Sequence, residues 1–278
     1  MSRNFPKSAV ILMVTIFFCN SIAVAQVRNE KYAFRDEFNK ASNAPVDSSK
    51  WTAEIGGYGW GNQELQHYTN SVENAHHDGQ GSLVIKAVKL TSPLNLTCWN
   101  GPCQYTSARL ITKGKFDRKY GRFEARIKIP RGQGIWSAFW MLGDNIDAVG
   151  WANCGEIDVM ENIGREPSTV HGTIHGPGYS GANGIGGSYG LPNNQKFADE
   201  FHVYAAEWTE NKIAFYVDGN LYKTLTPKDL PARKVWVYDH PFFMILNLAI
   251  GGSWGGVPDA TTVFPQTLLI DYVRVYRR

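Results

Sequence analysis

The dominant period along this chain is two. Residues 122–129 (Arg-Phe-Glu-Ala-Arg-Ile-Lys-Ile) alternate polar and apolar without a break. That pattern predicts a strand with one solvated side and one core side. Residues 268–276 do much the same, and 202–208 and 212–217 predict two more strands. Asp218-Gly219 then turns the chain into 221–224, a hairpin signal. Residues 135–142, 156–161, 169–175 and 242–249 are further expected strands. Helical periodicity is absent beyond short turns near 197–200 and 227–230. The Gly-rich stretches 176–190 and 251–256 are expected as loops. Many short antiparallel strands in one chain make an all-β sandwich or jelly roll the expected fold.

The N-terminal stretch breaks this pattern. Arg3 and Lys7 precede an apolar run over 9–19, and Ala23-Val24-Ala25 has the A-x-A form of a cleavage site. Residues 1–25 are expected to be a signal peptide, which leaves 26–278 as a single exported domain. The net charge of +3 is small and the Lys and Arg are dispersed, so nothing points to nucleic acid. Aromatics make up 13 % of the chain, with nine tryptophans, more than a core of this size needs. The excess suits a carbohydrate site, because sugar C–H faces stack on aromatic rings.

Three cysteines remain after the signal. Cys98 and Cys103 flank the turn-forming Trp99-Asn100-Gly101-Pro102. An oxidising compartment favours a local disulfide between them; the alternative is two reduced thiols in a surface loop. Cys154 is expected to be a buried, inert thiol.

The stretch that carries chemistry is Glu156-Ile157-Asp158-Val159-Met160-Glu161, three carboxylates within six residues of an apolar run. On a regular strand Glu156 and Asp158 share a face and Glu161 points away. A β-bulge at Val159 or Met160 would bring Glu161 back. Glu156 and Glu161 would then form the acid pair that retaining glycoside hydrolysis needs, with carboxyls about 5–5.5 Å apart. Asp158, between them, would share a proton with the nucleophile. Close like charges would keep Glu161 protonated. The same acids would also suit a calcium site or an exposed acidic edge. Other candidates follow from spacing. Trp136 and Trp140, four apart on a strand, share a face. Asn62 and Glu64 are expected to share a strand face after a Gly-rich approach. His175 ends the strand after the acidic one and is expected to contact the acid/base or substrate. Asn247 and Trp254 flank a Gly-Gly loop.

The segment Gly155-Glu-Ile-Asp-Val-Met-Glu-Asn162 resembles the signature of glycoside hydrolase family 16 in its bulged E-x-D-x-x-E form. Trp60-Gly-Asn-Gln-Glu-Leu-Gln-His-Tyr68, Tyr105-Thr-Ser-Ala-Arg-Leu110, Tyr120-Gly-Arg-Phe-Glu-Ala-Arg126, Trp136-Ser-Ala-Phe-Trp140 and Leu246-Asn-Leu-Ala-Ile-Gly-Gly-Ser-Trp254 are similar to its laminarinase-like branch. The resemblance implies a concanavalin A-like jelly roll of two curved antiparallel sheets. It implies Glu156 as nucleophile, Asp158 as its helper and Glu161 as general acid/base, cutting inside β-1,3-glucan chains with retention. It makes Trp136 and Trp140 sugar platforms and Arg109 a cleft arginine. It implies no organic cofactor, a monomer, and one structural calcium held by backbone oxygens of Glu37 and Gly81 and the carboxylate of Asp271. Mixed-linkage glucan and algal galactan are related alternatives. A non-catalytic glucan-binding module is disfavoured, because both glutamates are present.

Overall fold

The expected strands form and stack in two layers. The computed structural model describes Met1 and residues 31–92 and 94–277, so the expected signal segment, Met1 apart, lies outside the described residues. One sheet has ten strands, ordered Asn220–Leu225, Lys212–Val217, His202–Thr209, Gly121–Lys128, Gln266–Tyr276, Leu83–Lys89, Tyr105–Ser107, Gln66–Tyr68. Tyr32–Asp36 also pairs with Gln266–Tyr276, and Ala75–His77 with Leu83–Lys89. The second sheet has seven, ordered Ile185–Gly190, Thr169–His175, Glu156–Ile163, Ile135–Gly143, Phe242–Ile250, Arg109–Ile111, Thr52–Glu54. Among the described pairs only Gln66–Tyr68 with Tyr105–Ser107 is parallel. The architecture is the all-β jelly-roll sandwich that the alternation predicts.

Alternation decides what lies between the layers. Phe123, Ala125 and Ile127 of the first sheet pack with Phe139, Met141 and Ile157 of the second in one core. Phe242–Ile250 is buried along its whole length, which explains its nearly unbroken apolar sequence. Met244, Leu246 and Leu248 enter the main core, whereas Phe243 and Ile245 join Ile111, Leu142 and Cys154 in a smaller cluster. Burial pushes the Cys154 thiol up to about 11, as expected for an inert cysteine.

The ladder around Glu156–Ile163 contains the bulge. Phe139 faces Met160 and Trp140 faces Asp158, so Val159 is an extra residue on that side. On the other side Thr173 faces Asp158 and His171 faces Glu161, leaving Val159 and Met160 opposite Gly172 alone. Val159 and Met160 both enter the core beside Ile157. Parity is thereby restored, and Glu161 returns to the face of Glu156 and Asp158.

Two expectations need correction. Residues 185–190 were expected within a loop but form the edge strand Ile185–Gly190, paired with Thr169–His175. Its glycines hid it from a pattern of alternation. A Cβ on Gly186 would lie 2.3 Å from the Gly172 carbonyl oxygen, so close backbone approach excludes side chains there. A short helix, Ile146–Val149, also forms where none was expected.

Gly172 is the tightest point opposite the bulge. A Cβ there would lie 2.8 Å from the Phe215 ring and 2.4 Å from Tyr222 Oη. Gly172→Ala is therefore expected to cost about 1–3 kcal/mol by overpacking and to lower Tm by roughly 3–10 °C. A thermal melt checks this, and an unchanged Tm would show that the layers are loose at the bulge.

Candidate active site

The bulged strand places three carboxyls on one stripe of the seven-stranded sheet, on the side away from the core. Glu156 Oε2 accepts the Trp151 indole N–H at 2.7 Å. His175 Nε2 lies 3.1 Å from Asp158 Oδ2 and 3.7 Å from Glu156 Oε1. His175 thus meets the Glu156–Asp158 end of the stripe, and the register explains it, since His175 lies directly opposite Glu156. Glu161 Oε1 accepts the Trp136 indole N–H at 3.1 Å.

Burial dominates the electrostatics here. It pushes the Glu156 carboxyl up to about 8, assisted by the Asp158 charge and opposed by His175 and the Trp151 N–H. Asp158 is likewise pushed up to about 8 by burial, with the neighbouring Glu156 carboxyl opposing the shift. Glu161 is held well above the ordinary carboxylate range, first by burial and then by the charges of Asp158 and Glu156. Like-charge repulsion alone, the cause read from the sequence, comes second. The arrangement supplies one acid that keeps its proton and a neighbouring pair that can present a carboxylate.

Aromatic and polar groups extend the site across neighbouring strands. Trp136 and Trp140 share the site face, as their spacing predicts. The Trp140 indole N–H donates to Asn247 Oδ1 at 2.7 Å, and Asn247 Nδ2 donates to Tyr68 Oη at 3.0 Å. Arg109 is stacked between two indoles, its Cζ 4.7 Å from the ring centres of both Trp60 and Trp140. Its Nε–H donates to Glu54. Trp254 sits edge-on between Trp136 and His171, with ring centres 5.5 and 5.1 Å away. Trp254 therefore borders the Glu161 end.

Asn62 and Glu64 do not lie on a strand. Gly59–Gly61 is a 3-10 turn, Gln63 has φ +59°, and Glu64 makes only an isolated bridge to Gly251. The two side chains meet through this turn, with Asn62 Nδ2 donating to Glu64 Oε1 at 3.3 Å. Glu64 is otherwise buried, accepting Gln66 Nε2–H at 2.7 Å and Tyr68 O–H at 3.0 Å, and burial raises its pKa. It braces the site from beneath. Trp151, Trp60 and Tyr68 are site residues that spacing did not single out. For Trp151 the available signal was a tryptophan in a Gly-rich loop just ahead of an acidic strand.

Two groups have the chemistry of metal ligands. Glu156, Asp158 and His175 bring ligand atoms within 4.8 Å of one another. The expected calcium residues lie elsewhere, on the ten-stranded sheet. Tyr32–Asp36 and Leu83–Lys89 both pair with Gln266–Tyr276, meeting it at Val273 and Ile270 respectively. The gap between them is where Glu37 and Gly81 leave their strands. Asp271 falls in that gap as the extra residue of a bulge, since Arg126 faces Tyr272 and Ile127 faces Ile270. The Asp271 carboxylate accepts Arg126 Nη1–H at 2.6 Å, and Arg274 donates to both oxygens of the Glu37 carboxylate.

Paired buried acids beside an aromatic-lined sheet face are the equipment of an enzyme acting on carbohydrate. Comparison with known proteins agrees. The profile of Glycosyl hydrolases family 16 matches residues 62–274. A beta-glucanase from Rhodothermus marinus is 44 % identical over 256 residues, covering 87 % of this chain and 83 % of that protein. A glucan endo-1,3-beta-glucosidase A1 from Niallia circulans is 42 % identical over 88 % of this chain, which spans 37 % of that longer protein. The laminarinase catalytic domain from Thermotoga maritima superimposes with a TM-score of 0.82 at 47 % identity, covering 89 % of this chain and 98 % of that one. The chain belongs to glycosyl hydrolase family 16.

The raised carboxyls predict how stability varies with pH. Each binds its proton more tightly folded than unfolded, so its contribution is complete below about 4 and is lost as pH rises towards about 8. Wild-type Tm is expected to fall across that window. Glu161→Gln removes one titrating group and should raise Tm at pH 8 by about 3–6 °C while changing it little at pH 4. Scanning calorimetry at both values checks this; an equal shift at both would contradict the burial argument.

Proposed function

We propose that the protein is an exported endo-β-1,3-glucanase that cleaves internal glucosidic bonds with retention of configuration. The observation that carries this reading is the bulge at Val159-Met160, which sets Glu156, Asp158 and Glu161 on one face. Glu156 attacks the anomeric carbon while Glu161 gives its proton to the departing glycosidic oxygen. A glycosyl ester on Glu156 results. Glu161, now a carboxylate, takes a proton from water; the water oxygen displaces Glu156 from the anomeric carbon and both acids return to their starting states. Asp158 keeps the shared proton during attack, so that Glu156 acts as a carboxylate. The Trp151 N–H fixes the orientation of Glu156. Trp136, Trp140, Trp254, Arg109 and Asn247 hold the sugar rings. The glucan specificity is supported by the names of the relatives, a glucan endo-1,3-beta-glucosidase and a laminarinase. Export is supported by the cleavable N-terminal pattern and by the Cys98–Cys103 disulfide.

Calcium at Glu37, Gly81 and Asp271 would fasten the two strand ends that meet beside Asp271, and would stabilise the fold without entering the chemistry. A hundredfold excess over Kd is then worth about 2.7 kcal/mol. Chelation should lower Tm by several degrees, calcium should restore it, and Asp271→Asn should abolish the difference.

Product analysis on laminarin, lichenan and agarose tests the substrate. Laminarin is expected to yield a ladder of oligosaccharides; cleavage of agarose alone would overturn the glucanase reading. Glu156→Gly is expected to lose about 10³-fold or more in kcat. Azide should restore turnover in that variant and give a glycosyl azide of inverted configuration. Undiminished laminarin hydrolysis by the variant would remove Glu156 from the nucleophile role.

A further inference from the structure

We propose that Trp99, held by the Cys98–Cys103 loop, is a further sugar platform that binds a glucosyl unit of the same chain beyond Trp60. The inference rests on the glucan reading above.

The disulfide closes a short loop with its Cα atoms 5.0 Å apart, and Thr97–Cys98 pairs with Gly101–Pro102 at its base. The loop is seated on the segment that carries Trp60. Trp99 N–H donates to the Gly57 carbonyl at 2.7 Å, and the Trp99 indole N–H donates to the Glu64 carbonyl at 2.7 Å. A Cβ on Gly57 would lie 2.6 Å from Cys98 Sγ, and one on Gly59 3.0 Å from the Trp99 ring. Glycine at both positions is what lets the loop approach so closely. Gly59 also has φ +81°, a conformation that few other residues adopt.

One side of the Trp99 ring thus covers Gly59, yet the residue remains 49 % exposed. It belongs to neither hydrophobic core cluster. Tyr58, 64 % exposed, flanks Gly59 and stacks 4.4 Å from Trp60. From Trp60 the row continues through Arg109 to Trp140, which lies directly opposite Asp158 in the ladder. Aromatic faces therefore run from the acids across the sheet edge to the disulfide loop. A large indole with its polar atom already bonded and its backbone tied by a covalent loop loses little freedom on binding, which favours an apolar sugar face. A polymer crossing the strands from the acids meets Trp99 last. Only chains long enough to reach it would gain from it.

The test is a chain-length series of laminarioligosaccharides alongside laminarin. Trp99→Ala is expected to raise KM about tenfold on laminarin and long oligosaccharides, with kcat within about twofold. Its kcat/KM on laminaritriose should stay within about twofold of wild type, and Trp99→Phe should recover most of the long-chain affinity. A Cys98→Ser/Cys103→Ser double variant should shift long-chain KM in the same direction. An unchanged long-chain KM, or an equal loss on short and long chains, would overturn the platform. Wild-type enzyme that leaves laminarin intact would instead overturn the glucanase reading on which it rests.

Discussion

The structure depends on setting three carboxyls side by side with little access to water, Asp158 buried and Glu156 and Glu161 half-buried. Water would solvate such groups separately and leave them all charged. The sheet withholds that water, so the site stays neutral enough only by retaining protons. Glu161 is held well above the ordinary carboxylate range, and Glu156 and Asp158 are both pushed up to about 8. The surrounding polar groups are arranged to match. Trp151 and Trp136 give an N–H to each end of the stripe, and His175 faces Asp158. The sheet therefore sets proton inventory and geometry together, and neither can be altered without the other.

A single extra residue couples that stripe to the core. Val159 and Met160 both point inwards, so the bulge adds core contact at the position where the outer face needs its third acid. The opposing strand answers with Gly172, and the second layer with Phe215 and Tyr222. A strand read from its outer face as catalytic is read from its inner face as a packing solution.

Much of this was legible in the sequence, for physical reasons. Alternation marks strands whose two sides differ, and 122–129, 169–175 and 212–217 are such strands. The need for a bulge followed from parity in the acidic hexapeptide. What stayed hidden has a different origin. Ile185–Gly190 lacks an alternating pattern because neighbouring backbone and side chains crowd Gly186 and Gly187. Asn62 and Glu64 read as strand residues from their spacing, whereas the positive φ of Trp60 and Gln63 makes a turn there. The role of Trp151 depends on a loop folding back over Glu156, and no local period encodes that.

The seven-stranded sheet orders its members without regard to chain order: Thr52–Glu54 lies beside Arg109–Ile111, which lies beside Phe242–Ile250, which lies beside Ile135–Gly143. Neighbouring site residues are consequently remote along the chain, as Asn247 is from Tyr68. Such contacts form slowly, because long loops must close before any reward is gained. The site cannot exist on a fragment or an early intermediate. Catalytic competence is a property of the whole sheet rather than of any one strand or segment of the chain.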